Sequence, residues 1–203
     1  GVKPSDDVDG AYVQYLEGSW FVSSDQTFTG EKIDLTGDLV IYDGATLTLK
    51  GTMLRLNCSS AGEFGITVES GGTLKILDKD GFAATWGDES IITDSVLDTD
   101  DFSSTDYGYK FTCEYGSALV IQNSKLDNTG TKGSKYSGGI SLYNSDIDIQ
   151  NTTFSHLLGG IRTTSFTSLH LANLTMEGVW GDSLYVSSSL PNANIDLDYS
   201  TFK

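Results

Sequence analysis

Pairs of apolar residues separated by a single polar residue recur along most of the chain. Six segments share this pattern, and their first apolar residues are Leu47, Leu74, Leu119, Ile147, Leu169 and Ile195. Apolar residues at a spacing of two belong to a β-strand with one buried face. Four of the segments continue into a small polar pair and another apolar side chain, as in Ile147-Asp-Ile-Gln-Asn-Thr-Thr-Phe154. The pattern predicts a strand, a tight corner and a second strand.

The spacing of these segments indicates a solenoid. Successive first apolar residues are 27, 45, 28, 22 and 26 residues apart. We divide the step of 45 into two coils, with Ile91 and Ile92 marking the additional copy, so that each coil has roughly 22–28 residues. Leucine-rich repeats need a fixed Leu/Asn scaffold that is absent, and propeller blades need about 40–45 residues each.

Two further families of short apolar strands flank the first. Residues 65–69 and 139–143 precede it in their coils, and residues 53–56 and 153–157 follow it. Three strands per coil with small residues at the corners predict an all-β, right-handed parallel β-helix (solenoid) of about six to seven coils. Residues 31–203 form the helix in this prediction, and residues 1–30 form a short N-terminal cap or leading segment.

The runs Gly44-Ala-Thr-Leu-Thr-Leu49 and Gly71-Gly-Thr-Leu-Lys-Ile76, with the recurring Leu-x-Ile-x-Asn-x-x-Phe, resemble the pectate-lyase-like β-helix superfamily. They are most similar to β-helix repeats of archaeal surface-layer and sheath-type cell-envelope proteins. The resemblance spans about residues 39–202 and implies a right-handed β-helix at the cell surface. It implies function only weakly, because this scaffold carries lyases, hydrolases, adhesins and structural modules alike.

The charge balance narrows the possible partners. The chain has 28 Asp and Glu against 12 Lys and Arg, a formal net charge of −16. Such a surface repels phosphate backbones, so nucleic acid is excluded as an expected partner. No segment approaches the ~18–20 apolar residues of a membrane span, so no membrane insertion is expected. Cations, glycans and other copies of the chain remain as possible partners.

On the outward face of the predicted main strands, one column of aligned residues contains carboxylates and an imidazole. The repeat aligns Asp148, His170 and Asp196 on neighbouring strands about 4.8 Å apart. Such a stack could bind a metal or perform acid–base catalysis; the competing interpretation is a solvated polar face. Motifs of polygalacturonases and pectate lyases are missing apart from Asp100-Asp101. We therefore predict no enzyme, with a β-helix polysaccharide lyase or hydrolase, or a carbohydrate-binding module, as the alternative.

An acidic run offers the one cofactor site that we considered. Its carboxylates, Asp98, Asp100, Asp101 and Asp106, could bind Ca²⁺, which takes six to eight oxygen ligands in flexible geometry. A solvated loop is the other interpretation, and no further cofactor is predicted. The Tyr and Phe side chains of the run, up to Tyr109, could stack on sugar rings or contact another subunit.

Asparagines recur at the corner that follows the main strand. Asn123, Asn151 and Asn173 are predicted to form an internal ladder of hydrogen-bonded amides. Asn151 and Asn173 also stand in Asn-x-Thr glycosylation sequons, but inward amides would be inaccessible. Asn57, in the sequon Asn-Cys-Ser, is therefore the better glycosylation candidate.

Cys58 and Cys113 fall at apolar positions. Buried thiols, a disulfide between subunits and a disulfide within the chain all remain open. Our coil division places these cysteines two or more coils apart, about 10 Å along the axis. That exceeds the ~7 Å between Cα atoms that a disulfide tolerates, so buried thiols are favoured.

The last regular coil reaches almost to Lys203 without a capping helix. Uncovered coil edges invite pairing with another chain. The sequence therefore suggests a self-assembling extracellular protein, such as a subunit of a sheath, surface layer or filament. A fragment of a longer surface protein is the alternative explanation for the uncovered coil.

Overall fold

A computed structural model describes residues 3–6, 12–82, 87–94, 108–130, 139–143, 146–164, 166–179, 181–187, 194–198 and 201–202. Each of these ranges contains at least one strand, and the strands belong to three sheets. No helix of sufficient length and apolarity to span a membrane occurs in the described residues.

From β2 onward, each sheet contains every third strand of the chain. Sheet A is made of β1 (Lys3–Asp6), β2 (Tyr12–Glu17), β5 (Lys32–Thr36), β8 (Met53–Leu56), β11 (Ile91–Asp94), β14 (Lys125–Asp127), β17 (Thr153–Ser155), β20 (Thr175–Glu177) and β23 (Thr201–Phe202). Sheet B is made of β3 (Trp20–Val22), β6 (Leu39–Ile41), β9 (Gly65–Val68), β12 (Lys110–Cys113), β15 (Ile140–Tyr143), β18 (Ile161–Thr164) and β21 (Leu184–Ser187). Sheet C is made of β4 (Gln26–Thr29), β7 (Thr46–Lys50), β10 (Thr73–Leu77), β13 (Ala118–Gln122), β16 (Asp146–Gln150), β19 (Ser168–Ala172) and β22 (Asn194–Asp198).

This order is that of a right-handed parallel β-helix, which confirms the predicted fold. One strand from each sheet makes a coil, and seven coils run from β2–β3–β4 to β20–β21–β22. All neighbouring strands pair in parallel except β1, which pairs antiparallel with β2. The first coil, β2–β4, lies within residues 1–30.

The core is a stack of equivalent apolar side chains, one layer per coil. In sheet C the inward column consists of Leu47, Leu74, Leu119, Ile147 and Leu169, each at most 2% exposed. Burying one such side chain contributes about 1.5–3 kcal/mol. Because the side-chain period of a strand is two, the residues between them face outward.

The division of the 45-residue step into two coils was wrong. Leu74 pairs directly with Leu119, so the whole step is one coil. Ile91 and Ile92 belong to β11 of sheet A, where they lie opposite Met53 and Leu54. Their alternating pattern is the same as that of a sheet C strand, because both kinds of strand bury one face. The extra length lies in the connections between strands, including residues 78–90.

The corner from sheet C to sheet A usually takes two residues. One such pair is Gly30-Glu31, and four later pairs share a common geometry: Gly51-Thr52, Asn123-Ser124, Asn151-Thr152 and Asn173-Leu174. The first residue of each of these four pairs has a φ between 48° and 54°, the left-handed region that Gly and Asn adopt most readily. The second residue turns inward and is buried. Its hydroxyl, where present, donates to a backbone carbonyl, as from Thr152 to the Gln150 oxygen at 2.8 Å.

Candidate functional site

The corner asparagines form a continuous ladder of side-chain hydrogen bonds. Asn173 Nδ2 donates to Asn151 Oδ1 at 2.9 Å, and Asn151 Nδ2 donates to Asn123 Oδ1 at 2.9 Å. Asn123 Nδ2 then donates to Asp78 Oδ1 at 3.1 Å. The predicted ladder therefore exists and ends on a carboxylate that we had not included.

The ladder lies on the outside of the helix, so its predicted internal position was wrong. The side chains of Asn151 and Asn173 are exposed, and that of Asn123 is half-buried. The left-handed corner residue directs its side chain outward while the following residue turns into the core. The argument that inaccessible amides exclude glycosylation of Asn151 and Asn173 therefore fails.

The ladder does not continue to the equivalent corner of the previous coil, which is Gly51. A Cβ atom at Gly51 would lie 2.8 Å from Lys79 Cβ and 2.9 Å from the Asp88 carbonyl oxygen. Real Cβ atoms are not found so close to other heavy atoms, so an asparagine cannot occupy this corner without a shift of its neighbours. The neighbours are the two sides of the loop that leaves sheet C at Asp78.

In the longest coil, residues 78–90 connect sheet C to sheet A in place of the two-residue corner, and the structure describes residues 78–82 and 87–90 of this connection. Its two sides meet at a neck, where the Lys79 N–H donates to the Asp88 carbonyl at 2.9 Å. Ser90 then takes the position of the buried corner hydroxyls and donates to the Leu77 carbonyl at 2.6 Å. The 78–90 connection therefore leaves and rejoins the β-helix at nearly the same place.

Three carboxylates cluster at this neck. One oxygen from each of Asp78, Asp80 and Asp88 lies within 4.8 Å of the other two. Asp78 is only 3% exposed, and its Oδ2 has no hydrogen-bond donor among the described residues. Asp88 Oδ1 is likewise buried with no such donor. Desolvation, and then the negative charges of Asp80 and Asp78, raise the pKa of the Asp88 carboxyl.

An open cleft of about 430 Å³ runs from this neck along the ladder. Its wall includes Asp78, Asp88 and Glu89 at one end and the three ladder asparagines along its length. Lys125 also lines the cleft, with its Nζ 3.9 Å from Asp127 Oδ2. Hydrogen-bonding and acidic groups therefore share one concave surface.

The predicted outer column of sheet C is present in the backbone register. Asp148 lies opposite His170, and His170 lies opposite Asp196, whose side chain is outside the described part of the structure. His170 Nδ1 is 2.8 Å from Asp148 Oδ1. Gln150 Nε2 donates to the same oxygen at 2.8 Å, and Gln122 Nε2 donates to Asp148 Oδ2 at 3.1 Å. Both oxygens of Asp148 are thus held by neighbouring side chains.

A second His–Asp pair was missed by the sequence reasoning. His156 Nδ1 lies 2.9 Å from Asp127 Oδ1, and Ser155 Oγ donates to that oxygen at 2.7 Å. The serine hydroxyl bonds to the carboxylate and not to the imidazole, so this is not the arrangement of a serine nucleophile with its base. Both histidines of the chain thus lie against an aspartate of the preceding coil.

The acidic run that we considered for Ca²⁺ lies outside the described residues. The predicted ligands in this run are Asp98, Asp100, Asp101 and Asp106. Tyr109, at the end of the run, is described and is fully buried, so it is not an exposed surface for a sugar ring or another subunit. Its hydroxyl accepts from Thr129 Oγ1 at 2.8 Å, and burial raises its pKa.

Neither Cys58 nor Cys113 forms a disulfide, and both side chains are buried. Cys113 lies in β12, which pairs with β9, and Cys58 follows β8, so the two belong to adjacent coils. The predicted separation of two or more coils was wrong because it rested on the divided 45-residue step. Burial raises the pKa of the Cys113 thiol to about 12 and also raises that of Cys58.

Asn57, the glycosylation candidate, follows β8 and is half-buried. Its backbone N–H donates to the Leu35 carbonyl at 2.9 Å. Ser59, the hydroxyl residue of its sequon, donates through Oγ to Glu63 Oε2 at 2.7 Å. The sequon is therefore already engaged in local hydrogen bonds.

Comparison of the chain with protein families, curated proteins and solved structures finds no match. The three sheets establish the parallel β-helix by themselves. The finer resemblance to pectate-lyase-like and archaeal envelope proteins stays a prediction.

Proposed function

We propose that the protein is a structural, self-assembling component of a cell envelope, such as a sheath, surface-layer or filament subunit outside the cell. The observation that carries this proposal is the equivalence of the two ends of the stack. Sheets B and C begin with β3 and β4 and finish with β21 and β22, all parallel and in the same order. Head-to-tail contact between copies would continue the same backbone pairing, which is how heterologous contacts generate filaments.

The edge strand β21 shows how such a contact could form. The Ser183 carbonyl accepts from the Ile161 N–H of the preceding coil. Alternate residues of a parallel strand bond to opposite neighbours, so Leu184 and Val186 direct their N–H groups away from β18. No described residue accepts from these two groups, so they could pair with a further coil, such as the β3 edge of a second copy. At the opposite end, β1 covers β2 of sheet A, and no described strand covers β3 or β4.

The acidic surface adds a condition to this proposal. Copies that carry a net charge of −16 repel one another at low ionic strength. Assembly should therefore increase with salt or with multivalent cations, which screen or neutralise the carboxylates.

Val186 provides the test. Val186→Pro removes the outward N–H of β21, whereas Val186→Ala removes similar packing and keeps that N–H. We expect the alanine variant to assemble like the unmodified protein and the proline variant to remain monomeric, measured by light scattering and negative-stain microscopy. Circular dichroism melts establish that both variants are folded. Equal assembly by two folded variants contradicts the proposed edge contact.

A glycan-active β-helix is a second candidate because of the short Asp148–His170 contact. The test is hydrolysis or elimination of acidic polysaccharides by the unmodified protein and by the double variant Asp148→Asn/His170→Ala. Activity that disappears in the variant supports this candidate. Activity that survives removes the column from consideration.

A further inference from the structure

The neck of the 78–90 loop combines negative charge with buried oxygen atoms that lack a donor. We propose that Asp78, Asp80 and Asp88 bind one Ca²⁺ ion at this neck. This inference is separate from the proposed assembly and does not depend on it.

Asp78 is the strongest reason to expect a bound cation. Its side chain is almost completely buried, and one carboxylate oxygen is used by the Asn123 amide while the other has no donor among the described residues. A buried carboxylate without compensation is costly, and proteins normally pair it or use it to coordinate a metal. None of the ion pairs between described residues involves Asp78 or Asp88.

The geometry of the cluster suits Ca²⁺. Calcium binds oxygens at about 2.3–2.6 Å, so ligands on opposite sides of the ion are about 4.6–5.2 Å apart. The three carboxylate oxygens lie within 4.8 Å of one another and could contact one ion without a large rearrangement. Three carboxylates can supply up to six oxygens, and the open cleft admits water for the remaining positions.

A bound ion would act as a staple across the neck. Asp78 and Asp80 lie on the outgoing side of the loop, and Asp88 lies on the returning side. The backbone hydrogen bond from the Lys79 N–H to the Asp88 carbonyl joins the two sides near this point. The ion would also hold Asp78 in position as the last acceptor of the asparagine ladder.

Calcium titration calorimetry on the 203-residue chain, after dialysis against a chelator, tests the site. We expect one saturable site with an affinity no weaker than about 1 mM. Asp80→Asn and Asp88→Asn should each weaken binding at least tenfold. Asp146→Asn, which removes one charge from the exposed face of sheet C, should leave the affinity unchanged. The melting temperature should rise with Ca²⁺ in the unmodified protein and in Asp146→Asn only.

The variants also distinguish calcium binding at this site from calcium binding by the acidic run at residues 98–106. Binding that persists unchanged in folded Asp80→Asn and Asp88→Asn places the ion elsewhere and overturns the proposal. Equal weakening by Asp146→Asn shows general charge screening and also overturns it. Absence of saturable binding by the unmodified protein has the same consequence.

Discussion

Removal of one rung of the asparagine ladder should destabilise the solenoid by an amount that depends on the replacement. Asn151 donates one side-chain hydrogen bond and accepts another, both at 2.9 Å, and its φ is 48°. Asn151→Gly removes both bonds but keeps a residue that tolerates this φ. Asn151→Ala removes both bonds and adds backbone strain. Gly51 shows that glycine fits this corner, since it adopts a φ of 54° at the equivalent position.

The expected magnitudes follow from these contacts. The amides are exposed, so each hydrogen bond contributes about 0.5–1 kcal/mol. Glycine adds about 0.4–1 kcal/mol through the entropy of the unfolded chain, which gives a total loss of about 1.5–3 kcal/mol for Asn151→Gly. Alanine in the left-handed region costs about 1–2 kcal/mol, which gives about 2–4 kcal/mol for Asn151→Ala.

A double-mutant cycle isolates the ladder from these backbone effects. Glycine replacements at Asn123 and Asn151, which share a hydrogen bond, should show a coupling of at least about 0.5 kcal/mol in urea unfolding followed by circular dichroism. Asn123 and Asn173 lie two coils apart, about 9.6 Å, and their replacements should be additive. Equal coupling in the two pairs, or none in the first, would refute the ladder as a stabilising element.

Three further predictions concern the neck and the thiols. Gly51→Asn should lower the free energy of unfolding by about 1–3 kcal/mol because its Cβ would overlap the neck. The control is Gly44→Asn, because Gly44 has a φ of 72° and a Cβ there would have nothing within 4 Å. An equal loss of stability in both variants contradicts the clash at Gly51. Cys58 and Cys113 should react with a thiol reagent at pH 8 only after unfolding, so rapid labelling of the folded protein would contradict their burial. Because the pKa of Cys113 rises from 9.0 to about 12 on folding, its unfolded thiolate forms first, and stability should fall as pH rises from 9 towards 12, as measured by urea titration.

The fold could be predicted because each coil repeats the same burial pattern. The apolar pairs beginning at Leu119, Ile147 and Leu169 are in register in the structure, as their spacing indicates. The 45-residue step could not be resolved from local pattern, because a strand of sheet A alternates apolar and polar residues as a strand of sheet C does. Only the pairing of Leu74 with Leu119 shows that the additional residues belong to one coil.

The candidate site was harder to predict from sequence. The recurrence of Asn123 and Asn151 revealed the ladder, but its outward direction depends on the left-handed backbone of the corner. A signal was present in the residues that follow, Ser124 and Thr152, which are small enough to turn inward. The acidic neck had a weaker signal. Asp78 and Asp88 are ten residues apart in sequence, and the contact between the two sides of their loop brings their carboxylates together.

The most direct test of the proposed function is electron microscopy of the purified protein at low and at high ionic strength. Seven coils at about 4.8 Å each predict filaments with an axial subunit repeat of about 34 Å, more abundant at high salt. Uniform monomers at every ionic strength, or polymers whose axial repeat does not correspond to a stack of seven coils, would contradict assembly through the coil edges.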